Sequence, residues 1–394
     1  MDNLTHSLIG VVLGSAALGQ KNASKKAVVL TAIIGSNFPD IDIVLRPMLS
    51  HLSFGYLLHH RGYTHTFLAA LPLGILAAVL GSKLAREPRR PSGALLLLGV
   101  LSVLLHIGAD FCNNYGVHPL TPFSNRWFYG DSIFIVEPLL FLVLLPFAYF
   151  TAVSNRLKKV ILGLEIGLLA VVLGQAGLAG GGSASLILAE VSWAAFWFFI
   201  TWKFRNAFFP VMGIGLVVAS FGWNSIKIKE NLRQSMEALS AEVRVQKIAT
   251  TPSPGNPFCW GVMVLSLEGQ DYVARSGVVS LWPSLFNPSN CYLARKHSSL
   301  ESAISMPSPV LRMVWNQEFR RPKAEFTDLR EKNCVFRAFL KFARMPVWYA
   351  EEGKSYAEDF RYYGQVRRGF SRVDLSQECD ERLPDWEPPT SGIQ

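Results

Sequence analysis

Seven of the eight histidines in this 394-residue chain lie between His6 and His118, and four short polar clusters hold most of them. They read Met1-Asp2-Asn3-Leu4-Thr5-His6, Asn37-Phe38-Pro39-Asp40-Ile41-Asp42, His59-His60-Arg61-Gly62-Tyr63-Thr64-His65, and His106-Ile107-Gly108-Ala109-Asp110, with His118 further on. Neutral imidazole and carboxylate together are the ligand set of Zn²⁺ and similar divalent ions. His106 and Asp110 stand four apart in a helix-like apolar run and so face the same way. Asp40 and Asp42 stand two apart in a segment that Pro39 makes non-helical, so they also share a face. His60 and His65 bracket Arg61, the only charged residue of its loop. The candidate metal ligands are therefore His6, Asp40, Asp42, His60, His65, His106, Asp110 and His118, and Arg61 is the candidate catalytic residue. More than four ligands points to two ions, Zn²⁺ first and Mn²⁺ or Mg²⁺ as alternatives, without a pairwise assignment. A divalent ion can lower the pKa of its water to about 7. Arg61 can offset negative charge developing on a phosphoryl oxygen. His51 reads as a solvated or interfacial residue, His59 as turned away from His60, and His297 as a surface residue.

Such groups need elements to hold them, and the composition says which. Half of the residues are hydrophobic, 17% are charged and the mean hydropathy is +0.25, whereas soluble domains carry about 25% charge. The excess lies in long apolar runs before residue 225, so the chain is read as a polytopic α-helical membrane protein. A span takes about 20 apolar residues. Six candidates fall at 66–84, 94–109, 133–153, 160–179, 184–202 and 207–223. Two poorer ones, at 4–19 and 27–45, precede them, the second broken at Pro39, for about eight in all. The start, Met1-Asp2-Asn3-Leu4, lacks the basic n-region of a cleavable signal peptide, so the first apolar segment is expected to persist. The net charge of +9 divides into +6 before residue 226 and +3 after it, which suits basic loops that set a topology and not a nucleic-acid patch. Lys21/Lys25/Lys26, Lys83/Arg86/Arg89/Arg90, Arg156/Lys158/Lys159 and Lys203/Arg205 fall in alternate loops, which are expected to be cytoplasmic. All four His/Asp clusters then lie at the outer ends of the first four spans, and both termini lie outside. Trp127 and Tyr129 suit the membrane interface, Asp131 and Glu137 are candidate partners that orient histidine ligands, and Glu165 and Glu190 sit within spans.

Beyond Trp223 a small extramembrane α+β domain is expected over 226–375. An amphipathic helix is read at 226–250, with Ile228, Leu232, Met236, Leu239 and Val243 three or four apart. A Pro-rich loop from Thr251 ends it, and β-like runs follow at 260–267, 272–274, 335–342 and 347–349. Residues 376–394 are read as a disordered tail. The remaining divisions are a metal-site region at 1–140 and additional spans at 141–225. Cys259, Cys291, Cys334 and Cys379 match no zinc-ribbon spacing. An exported domain can pair them as disulfides, whereas a cytosolic one keeps thiols.

The four motifs, Met-Asp-x-Leu-Thr-His, Pro-Asp-x-Asp, His-Arg-Gly-x-Thr-His and His-x-x-x-Asp, resemble in this order those of the YdjM family over roughly residues 1–140. The likeness extends to Tyr115-Gly116-Val117-His118-Pro119 and the stretch from Trp127 to Glu137. It implies an inner-membrane, metal-dependent hydrolase, under LexA control in some members. By motif it carries over Asp2, His6, Asp40, Asp42, His60, Arg61, Thr64, His65, His106 and Asp110. A fainter similarity is to zinc-dependent phospholipase C and its allied single-strand nucleases, with His106, Asp110, His118 and the Asp2/His6 start as counterparts.

The function expected on these grounds is a membrane-bound metal-dependent hydrolase acting through a metal-activated water on a phosphoester of a lipid or lipid-linked substrate. The alternatives are a divalent-cation or small-anion transporter using Glu165 and Glu190, and a silent scaffold that binds a partner through its tail. Membrane lipid or a lipid-linked substrate is the expected partner, nucleic acid is not, and the oligomeric state is not legible.

Overall fold

A computed structural model describes residues 1–18, 23–44, 55–152, 154–178, 184–291, 313–362, 370–379 and 383–393. His51, Lys21, His297 and Tyr363 lie outside them. The amino-terminal half is helical: α1 (Asn3–Ala16), α2 (Lys25–Gly35), a 3-10 turn (Phe38–Ile41), α3 (Gly55–His59), a second 3-10 turn (Tyr63–His65), α4 (Phe67–Ala85), α5 (Gly93–Phe111), α6 (Pro138–Thr151), α7 (Asn155–Leu178), α8 (Ala184–Phe204) and α9 (Phe208–Leu239). Asp2, Ser24, Thr66, Ser92 and Glu137 cap the amino ends of α1, α2, α4, α5 and α6 through side-chain oxygens. Each cap satisfies backbone N–H groups that the helix leaves unpaired.

The expected count of about eight spans is not confirmed among the described residues. Among the described residues four helices are long and apolar enough to cross a bilayer by themselves: α4, α5, α8 and α9. A fifth candidate joins α2 to the segment Phe38–Val44 through a 56° bend. The helices α1 and α6 have 14 residues each, about 21 Å at 1.5 Å per residue, short of a hydrocarbon core of about 30 Å. Instead, α6 is enclosed by its neighbours, with Leu142, Val143 and Leu144 fully buried.

Small residues let the helices behind the histidines approach closely. A Cβ at Gly10 would lie 2.9 Å from the Ala32 carbonyl oxygen, and Gly99 of α5 sits against the Gly74 carbonyl of α4. Close backbone contact of this kind is how helices pack without a hydrophobic driving force between them. Here it gathers α1, α2, α4 and α5 around the polar ends that carry the clusters.

The helix expected to end near residue 250 stops earlier. A single 32-residue α9 runs from the apolar segment to Leu239, and the chain then turns extended at β1 (Val243–Ser253). Ile228, Leu232 and Met236 are buried as their spacing suggests. Strands β1, β2 (Asn256–Glu268), β3 (Asp271–Ser280) and β4 (Met313–Pro322) form an antiparallel meander in that order. The Pro-rich stretch is the hairpin between β1 and β2, with Gly255 at φ +72°. Next come α10 (Lys323–Lys332), α11 (Cys334–Leu340) and a three-stranded sheet of β5 (Pro346–Glu351), β6 (Lys354–Asp359) and β7 (Val373–Asp374). The run at 335–342, expected to be β-like, is mostly α11. Its buried positions, Val335, Phe336, Phe339 and Leu340, repeat at helical and not at strand spacing.

One apolar cluster joins the two halves. Leu57, Leu58, Tyr115 and Trp127 pack with Tyr272, Phe336, Phe339, Phe342, Trp386 and Ile393. The stretch read as a disordered tail thus contributes buried side chains, Trp386 and Ile393, at the domain junction. Trp127 and Tyr129 belong to this junction too and not to the lipid interface: the Trp127 indole N–H donates to the Lys341 carbonyl (2.7 Å), and the Arg344 guanidinium lies 4.3 Å from the Tyr129 ring centre. Two disulfides, Cys259–Cys291 and Cys334–Cys379, tie the carboxy-terminal domain, and Cys112 is free.

Candidate metal centre

The break after α2 sets the geometry. Pro39 cannot continue the helix, and the 3-10 turn that follows turns Asp40 and Asp42 towards α5 and the His60–His65 loop. His106, one turn before Asp110 on α5, donates its Nδ1–H to the Ser36 carbonyl at the end of α2 (2.7 Å). That bond leaves the His106 Nε2 lone pair directed inward. Next to it stands His65 Nε2, only 3.1 Å away. Around the two nitrogens lie Asp40 Oδ1 (3.6 Å from each) and Asp110 Oδ2 (3.3 Å from His65 and 3.4 Å from His106).

These four donors lie within 4.8 Å of one another, as do donors of Asp40, Asp42 and His60. Asp40 belongs to both groups. Two imidazole lone pairs facing each other among carboxylates repel, and a cation at their common centre converts that repulsion into attraction. The donor set of His65, His106, Asp40 and Asp110 therefore fits a divalent ion of the zinc type, and Asp40, Asp42 and His60 can contribute to a neighbouring one.

The supporting contacts are as specific as the donors. Asp42 accepts from the Arg61 backbone N–H (2.9 Å) and the Thr64 hydroxyl (3.0 Å), while its other oxygen meets His60 Nδ1 (3.0 Å). Burial pushes the His60 imidazole below its ordinary pKa, which keeps it neutral and fit to ligate at neutral pH. Arg61 occupies the left-handed region (φ 61°) and is almost wholly buried. Its Nε lies 2.9 Å from Asp110 Oδ2, its Nη1 donates to Asn113 Oδ1 (2.8 Å), and its guanidinium lies 5.0 Å from the centre of the Tyr115 ring. The only candidate catalytic cation is thus in direct contact with a candidate ligand.

The other expected residues fall at graded distances. His6 stacks on His106 (ring centres 3.8 Å apart) and meets Asp110 Oδ1 at 3.3 Å, at the edge of the first group. The Met1 α-amino group also meets Asp110. Asp2 caps α1 through Leu4 and Thr5 and belongs to neither group. His59 is buried but likewise stands outside both groups. His118 is set apart, between Trp127 and Trp386 at ring-centre distances of 3.8 and 3.9 Å, with Nδ1 3.4 Å from the Arg61 carbonyl.

Asp131 and Glu137, expected to orient histidines, do other work. Asp131 is paired with Arg344 and Lys229, and Glu137 accepts from the Leu139 and Gly255 backbone N–H groups. Sequence reasoning missed Asn113, the Ser36 carbonyl and Trp386. Asn113 lies three residues past Asp110, a spacing that brings it back to the same side. A backbone acceptor and a residue nearly 270 positions from His118 leave no comparable signal.

Burial depresses the His118 pKa to about 3. A base depressed in the folded state stays neutral while the unfolded chain takes up a proton below about 6.5. Its contribution to stability is therefore intact above that value and is lost progressively as the pH falls towards 3. His118→Phe keeps the ring stack and removes the titration. Melting curves of the detergent-solubilised protein should show a shallower loss of stability between pH 6.5 and 4 in that variant; an unchanged slope would remove His118 from the account.

Comparison with known proteins agrees with the motif-based resemblance. The model of a family described as YdjM inner membrane protein matches residues 1–181. Uncharacterized protein YfhP of Bacillus subtilis (strain 168) is 33% identical over 148 residues, covering 36% of this chain and 43% of that protein. The chain thus spans less than half the length of this relative. No solved structure matches significantly. The two groups lie wholly within the family-matched region, while the carboxy-terminal domain lies beyond it.

Proposed function

We propose that this membrane protein is a metal-dependent hydrolase that cleaves a phosphoester of a lipid or lipid-linked substrate at the outer membrane surface. The observation that carries the reading is the convergence of His65 and His106 Nε2 with Asp40 and Asp110, beside a buried arginine. A divalent ion held there supplies Lewis acidity and access to a strong nucleophile from water at neutral pH. The chain's own residues do the rest. His106 is aimed by Ser36, His60 by Asp42, and Arg61 is poised by Asn113 and Asp110 to meet charge growing on a phosphoryl oxygen. Leu4, Ile41, Ile43 and Val44, exposed on the segments that carry Asp40 and His6, make an apolar rim by which a lipid headgroup can enter sideways. Glu165 and Glu190, the carboxylates a transport route would use, lie in α7 and α8 outside both groups, and the Glu190 carboxylate lies against Gly255 of the β1–β2 hairpin; this favours hydrolysis over transport.

The test is turnover of a phospholipid or a generic phosphodiester by pure full-length protein with added Zn²⁺ or Mn²⁺, with loss of activity in chelator. Equal turnover by a His60→Ala/Asp110→Ala double variant would sink the proposal. Placement outside is supported by the two disulfides, which persist in oxidising compartments. One free thiol, Cys112, is expected per chain before reduction and five after it. An impermeant thiol reagent on intact cells, or on spheroplasts where an outer membrane intervenes, should label the domain only after mild reduction. Labelling confined to opened membranes would place it, and the metal centre with it, in the cytoplasm.

A further inference from the structure

Between the two halves, beside Trp127, lies a cleft of about 270 Å³. It is lined by Trp127, Phe128 and Tyr129, by Pro388 and Pro389 of the carboxy-terminal segment, and by the cationic residues Arg126, Lys247 and Arg344 with a single carboxylate, Glu387. These charges are not equally engaged. Arg344 is spent on Asp131 (2.8 Å) and the Ile248 carbonyl (2.8 Å), and exposed Arg126 lies 3.3 Å from Glu387. Lys247 is half-buried on β1, and its ammonium has no hydrogen-bond or ion-pair partner among the described residues. Burial and the arginines Arg344, Arg126 and Arg233 act against its charge, and Glu387 supports it. Like charges gathered in a partly desolvated crevice repel, and that cost remains unless an anion joins them.

We infer that this cleft is a binding site for a phosphate-bearing anion, held by Lys247 and Arg126 beside Trp127 and Tyr129. Lysine serves such a ligand as a point charge and arginine as a fork. The aromatic and proline residues of the lining accept an apolar or planar body attached to the phosphate. None of the cleft's lining residues belongs to the His/Asp groups. The inference stands on the cleft itself and is independent of the hydrolase reading.

The experiment uses full-length protein in phosphatidylcholine nanodiscs, stripped of metal by chelator, and titrates glycerol phosphate by calorimetry. Saturable binding is expected, weakened about tenfold or more by Lys247→Gln and by Arg126→Gln. The latter residue is exposed and its replacement leaves the fold intact. Binding should survive Asp40→Asn, which separates this site from the metal centre. In nanodiscs containing phosphatidate, lost glycerol phosphate binding identifies a lipid headgroup as the natural occupant, and retained binding identifies a soluble phosphate. An absence of saturable binding in the unaltered protein, or equal binding by both variants, overturns the inference and leaves the hydrolase proposal untouched.

Discussion

Asp40→Asn is expected to empty the metal centre almost completely. The Asp40 side chain is the one member common to the two groups of converging donors, so its substitution weakens both at once. An amide keeps the volume and the hydrogen bond with Asn3, whose side-chain N–H₂ donates to Asp40 Oδ2 (2.7 Å). It removes the negative charge that two facing imidazoles need. Outer partners of a ligand alone are worth about 10–100-fold in metal affinity; a shared ligand should cost at least that at each group. Elemental analysis of dialysed protein should show metal content falling from up to two ions per chain towards none, and turnover falling by about 10–100-fold or more. Asp2→Ala is the matched control. It lies in the same polar end of the bundle but only caps α1, so it should cost about 1 kcal/mol of stability and keep the metal. Equal metal content in Asp40→Asn and unaltered protein would mean that these donors hold no ion.

That contrast between Asp2 and Asp40 marks how far the sequence could be read. Both are acidic and both sit in family-like motifs, but the two-residue spacing from Asp42 makes Asp40 alone of the two a candidate ligand, and Asp2 enters only by the family resemblance. In the structure the separation comes from the 3-10 turn at Phe38–Ile41, which carries one carboxylate inward while helix capping occupies the other. Pairing of His106 with Asp110 was legible because it is local, four residues on one helix. Apposition of His106 and His65 was not, since it depends on how α2, α4 and α5 cross at small residues such as Gly74 and Gly99. His118 lies outside both groups. Its proximity in sequence to Asp110 and its chemical type suggest a ligand, yet Trp127 and a tryptophan from the far end of the chain enclose it.

The same physics explains the fold. Long uniformly apolar runs declare themselves wherever they occur, but the run at 133–153 forms a helix of only 14 residues, α6, buried as a core helix. In the carboxy-terminal domain, the apolar β-like run at 260–267 falls within β2. The run at 335–342 was not legible as a helix, because short apolar segments carry too few periods to separate helix from strand. The tail's polar, Pro-rich composition suggests disorder, whereas Trp386 and Ile393 are buried at the domain junction.

Arg61→Lys should leave the metal in place and still remove most of the activity. The backbone at this position is left-handed and its N–H is held by Asp42, interactions that do not depend on the side chain. Lysine preserves the charge beside Asp110, so the carboxylate is not left uncompensated, and metal content should stay within about twofold of the unaltered protein. What lysine lacks is the planar fork. In the native chain, Nε faces Asp110 while Nη1 is tied to Asn113; together they fix the orientation of the guanidinium edge that a developing phosphoryl charge would meet. An ammonium cannot satisfy these directions and a substrate at once. Loss of one preorganised donor to a developing anion typically costs about 10²–10³ in kcat, and that range is expected here, with a smaller change in KM, because the interaction grows mainly in the transition state. Asn113→Ala should reproduce part of the loss, as it frees Nη1 without touching any candidate ligand. If Arg61→Lys retained metal and full kcat on a phosphodiester, the arginine would be a structural counter-ion to Asp110, and the phosphoryl-transfer assignment would lose the group that most distinguishes it from simple metal storage.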